Sequence, residues 1–305
     1  MKQTFRIGTR GSQLARWQAD FVQGSLEKIY PDHRFEQVII KTEGDQDQHS
    51  SLKQIGGQGV FTKAIELALL REEIDIAVHS LKDLPSEMDA ELVLGAVPER
   101  GPVEDVLVSR QGTPLSEMPK NAKIATGSIR RQSQILEKRP DIRIADLRGN
   151  IQTRLKKLDD QDLDAIVMAR AALFRLKIED IPYHTFSTEE MIPAVGQGAV
   201  GIQIRKKDQR TASLVAALNH AETWMAVTAE RALLFTLDSG CQFPVGAYGK
   251  VVGDILEITG FVGLEDGTRV LKEKLQAEAE KAEEAGSILA EKLIGRGALE
   301  LLNVK

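Results

Sequence analysis

Short apolar runs alternate with amphipathic stretches over the first two-thirds of the chain, the pattern of α/β layers. Phe5–Thr9 reads as a strand, and Gly11-Ser12 leads from it into a helix. Leu14, Trp17, Phe21, Val22, Leu26 and Ile29 fall on one face of that helix, with Ser12 as its N-cap and Pro31 as its stop. Val38–Ile40 and Glu73–Val78 are further strands, the second ending in the polar turn His79-Ser80-Leu81-Lys82-Asp83.

The order then recurs. Lys123–Ala125 leads into Thr126-Gly127-Ser128 and a helix, as Arg6–Gly8 leads into Thr9–Ser12. Ile142–Ala145 leads into Asp146-Leu147-Arg148-Gly149-Asn150 and another helix, and Leu163–Val167 echoes Ile74–Val78. Matches in the same order predict two similar α/β domains. Pro98-Glu99-Arg100-Gly101-Pro102 is a stiff linker between them. Ile192–Gly198 is a second crossing, after which a strand at Ala199–Ile204 and a helix at Thr211–Leu218 return to the first domain. Two crossings make a hinge, with a cleft between the lobes.

From about Glu222 the pattern changes to a helix, a turn holding Cys241, strands at Ile255–Val262 and Arg269–Leu275, and a charged C-terminal helix. This is expected to be a third, α+β domain. The division is 1–98 plus 199–218 for the first domain, 99–198 for the second and 219–305 for the third. Thr42–Gly59 takes no regular assignment. A loop longer than ~15 residues in a compact domain reads as an active-site lid or a disordered segment.

Composition narrows the function. At 305 residues, roughly 75% of the extended-chain surface can be buried, so the core needs no disulfide or metal staple. Forty basic against 45 acidic residues give a net charge of −5. That argues against binding nucleic acid or an anionic membrane through bulk charge, while leaving room for a local basic cleft. The single cysteine excludes an intramolecular disulfide and a Cys-rich zinc site, and the five histidines make no metal-ligand spacing. The start has no apolar stretch of signal-peptide length, and no later run approaches the roughly 18 residues of a membrane span. A soluble, cytoplasmic protein is expected. Gly196–Gly201 has the spacing of a dinucleotide fingerprint but continues as a strand instead of opening a helix.

Ligands of open α/β sheets bind beyond the carboxyl ends of the strands. The residues expected there are basic: Arg10 after the first strand, Lys82 after the third, and Arg130 and Arg131 in the repeat's first loop. Arg148 and Arg154 flank the next loop, and Arg170 and Arg175 follow the last strand. Arg130 and Arg131 fall in the first turn of a helix capped by Ser128, where the dipole disfavours cations. A bound anion reverses that cost, because arginine holds carboxylate or phosphate bidentately. Asp83 is the acid among these cations. It is either a cap or salt-bridge partner, or a carboxylate that holds a ligand N–H and stabilises a developing positive charge. His79, closing an apolar strand, reads as a satisfied core residue. Cys241, in a Gly-flanked turn, is either a small buried hydrophobe or an exposed thiol acting as nucleophile or attachment point.

Several segments, in order, carry a specific resemblance. They are Thr9-Arg10-Gly11-Ser12-Gln13-Leu14-Ala15, Val78-His79-Ser80-Leu81-Lys82-Asp83-Leu84-Pro85 and Thr126-Gly127-Ser128-Ile129-Arg130-Arg131-Gln132. Leu147-Arg148-Gly149-Asn150 with Thr153-Arg154-Leu155, Pro193-Ala194-Val195-Gly196-Gln197-Gly198, and Gly240-Cys241-Gln242 followed by Pro244 complete the set. Over essentially its whole length the chain resembles the hydroxymethylbilane synthase (porphobilinogen deaminase) family of the tetrapyrrole pathway.

The resemblance implies two lobes like those of periplasmic binding proteins, a smaller C-terminal α+β domain, and a monomeric transferase. It implies a dipyrromethane cofactor joined by a thioether to Cys241, on which four porphobilinogens are added head to tail with loss of ammonia. Water finally frees hydroxymethylbilane. The matching Asp83 would bind pyrrole N–H groups and stabilise the cationic azafulvene formed as ammonia leaves. Lys82, Asp83, Ser128, Arg130, Arg131, Arg148 and Gly149 match cofactor-binding positions, and Arg10, Ser12, Arg148, Arg154 and Arg175 match substrate-binding ones. The chain departs from the family at Gln58 and near Gln54, where lysine is frequent, and at Ser239 and Phe243 beside the cysteine. The competing reading, a non-enzymatic bilobed module for a small anion, accounts for the lobes and arginines but not for Cys241 or the third domain.

Overall fold

Strand β1 (Thr4–Thr9) is buried at most of its positions, as a strand covered by helices on both faces must be. It belongs to a computed structural model that describes residues 3–42, 62–237 and 243–303. Almost all of the expected 42–59 lid, and Cys241 with its neighbours 238–242, lie outside the described residues. Contacts divide the chain into two units, Met1–Gly101 with Gly198–Trp224, and Pro102–Gln197 with Met225–Lys305.

The first unit holds a five-stranded sheet. With strands numbered in chain order, its members are β1, β2 (Arg34–Ile39), β3 (Ile76–Ser80), β4 (Leu92–Ala96) and β10 (Val200–Arg205), in the order β2-β1-β3-β10-β4. β1 runs parallel to β2 and β3, while β10 is antiparallel to β3 and β4. Helices α1 (Gln13–Ile29), α2 (Lys63–Leu70) and α6 (Gln209–Ala216) pack on it. Phe5, Ile7, Val22, Leu26, Ile76, Val78 and Ile202 share its core. Each such side chain stabilises the fold by about 1.5–3 kcal/mol.

The second unit repeats that topology with β5 (Asp105–Ser109), β6 (Lys123–Ala125), β7 (Arg143–Ala145), β8 (Ala165–Ala169) and β9 (Tyr183–Thr185), ordered β7-β6-β8-β5-β9. β6 is parallel to β7 and β8, and β5 is antiparallel to β8 and β9. In each sheet the fourth strand in space is the one that follows a chain crossing: β5 after the 98–102 linker, β10 after 192–198. Helices α3 (Ile129–Lys138), α4 (Ile151–Asp160) and α5 (Arg170–Arg175) belong to this repeat. The same unit carries an antiparallel meander of β11 (Val245–Val252), β12 (Ile255–Gly263) and β13 (Val270–Glu278). Leu256, Ile258 and Val262 share a core there with Leu289 and Leu293 of α8 (Ala282–Gly295). Helix α7 (Ala221–Thr236) precedes this meander, and α9 (Ala298–Asn303) follows α8. Among the described residues, no helix is long and apolar enough to cross a membrane.

Two expectations are corrected. α1 buries Ala15, Gln18, Ala19, Val22 and Leu26, not the face of Trp17, Phe21 and Ile29. The two alanines let the helix approach the sheet closely, and Gln18 enters because its amide donates to Ser80 Oγ at 2.9 Å. Trp17 and Phe21 stack on each other instead, with Phe21 and Ile29 exposed. Strands β4, β5, β9 and β11 were not expected: periodicity cannot separate short buried runs from other apolar segments.

Candidate active site

Adjacent parallel strands release their loops at one sheet edge. β1 and β3 are such neighbours, pairing Ile7 with Ile76 and Gly8 with Ala77. Arg10 directly follows β1, and Ser12 caps α1 by accepting the Ala15 N–H at 3.3 Å. β3 runs into a single 3₁₀ turn, Leu81–Asp83, which carries Lys82 and Asp83. Leu81 and Leu84 are buried, and the Leu81 N–H donates to Ala199 O at 3.1 Å. These anchors hold the turn with Lys82 and Asp83 half-buried between them. The Asp83 carboxylate has no hydrogen bond or ion pair with a described residue, so its charge is available to a ligand.

His79, just before this turn, is buried with Nε2 at 3.1 Å from Gln203 Oε1. Gln203 turns its amide nitrogen to Glu66 Oε1 at 2.9 Å, so the amide oxygen faces the histidine and the ring carries its proton on Nε2. Burial pushes His79 down to about 4. It is a neutral core residue, as its place at the end of an apolar strand suggests.

The corresponding edge of the second sheet is built from β6 and β7. The Thr126 N–H donates to Ala145 O at 2.9 Å. A Cβ on Gly127 would lie 2.6 Å from Leu147 O, so only glycine lets these two turns touch. Ser128 caps α3 through a 3.5 Å bond from the Arg131 N–H, and Asn150 caps α4 from Thr153 at 2.9 Å. Gly149, at φ +104°, places its carbonyl to accept Arg154 Nε at 2.8 Å. Arg148 is half-buried, and its one ion pair among the described residues is a 3.4 Å contact from Nε to the exposed Asp146. Ser128, Arg148 and Gly149 thus meet at one edge. Arg175 ends α5 and is 6% exposed; burial pushes its guanidinium down to about 10. Arg170 pairs with Glu104 at 3.3 Å.

Arg130 and Arg131 turn inward, only 3% and 5% exposed. Arg130 donates from Nη2 to Asp105 Oδ2 at 2.7 Å and from Nη1 to Ile192 O at 2.6 Å. Arg131 donates to Asp105 Oδ1 from Nε at 3.0 Å and Nη2 at 2.7 Å, and to Val167 O at 3.1 Å. The anion called for at this helix start is present, and it is the protein's own. Burial by itself would raise Asp105, but the two guanidiniums outweigh it and hold the carboxyl well below the usual carboxylate range. Burial pushes Arg130 down against the pull of Asp105.

Sequence reasoning missed Asp105, and with it Gln197, whose amide donates to Asp105 Oδ1 at 2.9 Å and to Val103 O at 2.7 Å. The one available signal was an acid opening an apolar strand directly after the linker. It also missed Glu230, which is buried and accepts the N–H groups of Gly196 and Gly249 at 2.7 and 2.8 Å.

A duplicated five-stranded sheet, with basic and hydroxyl groups at the carboxyl edge of its parallel strands and an added antiparallel meander, defines the class: an α/β protein with two like sheets and a smaller α+β portion. The chain belongs to the porphobilinogen deaminase family. That family's dipyrromethane cofactor binding domain matches residues 5–213, and its C-terminal domain matches residues 224–295. A porphobilinogen deaminase of Geobacter metallireducens is 48% identical over 297 residues, covering 97% of this chain and 93% of the relative. One of Chlorobium phaeobacteroides is 45% identical over 306 residues, covering 99% and 98%. Among solved structures, a probable amino-acid ABC transporter extracellular-binding protein of Bacillus subtilis aligns with a TM-score of 0.44 at 14% identity, over 72% of this chain and 90% of that one.

Proposed function

We propose that this chain is a transferase that condenses four porphobilinogen molecules head to tail, starting from a dipyrromethane held by a thioether to Cys241. Each addition breaks the aminomethyl C–N bond, releases ammonia and forms a C–C bond to the next pyrrole, which loses a proton. The observation that carries this reading is kinship along the whole chain, at 48% identity to a porphobilinogen deaminase with more than nine-tenths of both chains covered.

The residues present fit a cofactor bearing carboxylates. Ser128 keeps an O–H to donate, Arg148 has only one long ion pair among described residues, and Arg130 has a buried Nε without a described partner. The dipyrromethane, when bound, supplies the electron-rich pyrrole carbon on which the chain grows. Asp83 accepts pyrrole N–H groups, and its charge favours the cation left on the substrate as ammonia departs. Lys82, Ser128, Arg130, Arg131, Arg148 and Gly149 hold the cofactor; Arg10, Ser12, Arg148, Arg154 and Arg175 bind the acetate and propionate groups of the substrate. A substrate with two carboxylates per ring calls for that many cations. The domain division at 1–98 plus 199–218, 99–198 and 219–305 is supported by three separate sheets whose strands fall within those bounds. We take the enzyme to be a cytoplasmic monomer with neither nucleic acid nor membrane as partner, in keeping with its net charge of −5.

Intact mass tests the reading. A thiol of pKa ~8.5 is a few per cent thiolate at neutral pH and strongly nucleophilic, whereas a serine hydroxyl is not. Purified wild type should exceed its sequence mass by one dipyrromethane, and added porphobilinogen should give a ladder of further pyrrole units. Cys241→Ser should run at unmodified mass with no ladder. Wild type at sequence mass, unchanged by porphobilinogen, would overturn the synthase reading and favour a bilobed anion-binding module.

A further inference from the structure

The buried cluster around Asp105 does not balance its own charge. Two guanidiniums share one carboxylate, giving a net charge of +1 where Arg130 is 3%, Arg131 5% and Asp105 0% exposed. Uncompensated charge at such depth is costly, so a cluster of this kind calls for one more anion. The place for it is marked. Arg130 Nε is a buried N–H donor with no partner among the described residues, while the other two nitrogens of that guanidinium are committed to Asp105 and Ile192 O. A Cβ on Gly246 would lie 3.1 Å from Arg130 Cδ, so that glycine leaves space for the arginine stem a few residues beyond Cys241. Asp105 itself is braced by Gln197, which also binds Val103 O and so joins the chain leaving the linker to the second crossing.

We propose that Asp105 is the positioning residue of the arginine pair. It fixes both guanidiniums and cancels one of their two charges, so that the pair takes a single further carboxylate, on the Arg130 Nε side, instead of two. The identity of that carboxylate, as one from cofactor or substrate, rests on the proposed function; the charge balance does not. An acid is needed here because two buried guanidiniums with no carboxylate between them would repel each other and lose the fixed orientation that a ligand carboxylate requires. An acid in the core also lets the arginines stay ordered before any ligand arrives.

The test uses full-length Cys241→Ser, which is free of covalent cofactor, and inorganic phosphate as the anion. Melting temperature against the logarithm of phosphate concentration gives a slope that reports the number of anions taken up by the folded state. Adding Asp105→Asn should raise that slope by about one anion above the parent. Adding Arg131→Gln to Asp105→Asn returns the cluster to +1, and should restore both the parent slope and much of the lost melting temperature. If Asp105→Asn does not fold without phosphate, the double substitution should still fold. A slope unchanged by Asp105→Asn, or a double variant less stable than Asp105→Asn alone, overturns the proposal, because a purely packing role makes the two losses add. With Cys241 intact, Asp105→Asn should carry the dipyrromethane mass in a smaller fraction of molecules than wild type. If wild type carries no such mass while the phosphate results hold, the functional reading fails and the role of Asp105 stands.

Discussion

The two five-stranded sheets share one strand order but place their acids oppositely. In the first, Asp83 stands at the carboxyl edge of the parallel strands, half-buried and without a described partner. In the second, Asp105 is withdrawn to complete burial beneath two arginines, and Arg148 is left at the edge with one long ion pair. The shared topology decides where loops emerge; it does not decide how deeply the acid beside its cations is buried. A carboxylate that keeps access to water avoids the several kcal/mol of desolvation that a buried ion must recover from partners. Asp83 is therefore the acid that the proposed function sets against a developing cation, whereas Asp105 is committed to Arg130 and Arg131.

The largest effect should come from removing the charge at the first edge. Asp83→Asn keeps size and shape but offers no full negative charge to the cation formed as ammonia leaves. Loss of such electrostatic stabilisation costs ~10²–10³ in rate. Turnover should fall by that factor while intact mass still shows the cofactor and the melt stays near wild type. No described partner depends on the Asp83 carboxylate, so little stability is at stake. Near-wild-type turnover with cofactor in place would erase the functional half of the contrast.

Much of this contrast was legible in the sequence, and the reasons are local. Thr9-Arg10-Gly11-Ser12 and Thr126-Gly127-Ser128 each pair a strand end with a helix cap, and a cap needs only residues three apart. The repeat of topology followed from those matches. Asp105 was not legible, because its partners lie 25, 26 and 92 residues away and no periodic pattern links them. The inward turn of Arg130 and Arg131 was invisible for the same reason: the sequence shows that a helix start wants an anion, not that a strand from elsewhere brings one. The buried face of α1 was misread because apolar size was weighed above fit, while Ala15, Ala19 and Gln18 sit closer to the sheet than Trp17 can.

A second difference lies in titration. The first sheet contains His79, neutral in its core and pushed down to about 4 by burial. An unfolded histidine titrates near 6.5, so the unfolded state binds the proton first as pH falls. The stability His79 contributes is complete above about pH 6.5, declines from there, and is gone near pH 4, where both states are protonated. The full loss is about 3 kcal/mol. Asp105, held below the carboxylate range, does not titrate in that window. Amide exchange should therefore show β3 and β10 losing protection between pH 6.5 and 4 more steeply than β5 and β8. His79→Gln should flatten that difference; an unchanged acid limb in this variant would show that His79 is not its source.

The smallest effect separates a cap from a ligand-binding hydroxyl. Ser12 and Ser128 cap the two equivalent helices α1 and α3 through single long bonds of 3.3 and 3.5 Å. Asn150 caps α4 with its Oδ1 accepting both the Thr153 N–H and the Thr153 hydroxyl at 2.9 Å. In each serine the cap uses only an oxygen lone pair, so the O–H remains a donor for a carboxylate. Replacing a good cap with alanine costs ~1 kcal/mol, and a poor one falls near the ~0.5 kcal/mol end of the range. Ser12→Ala and Ser128→Ala should therefore lower stability less than Asn150→Ala in denaturant titrations. Both should also raise the KM for porphobilinogen or reduce cofactor occupancy, which a cap alone would not do. Stability losses equal to that of Asn150→Ala, with KM and occupancy unchanged, would make the two serines equivalent structural caps and confine the ligand contacts to the charged residues.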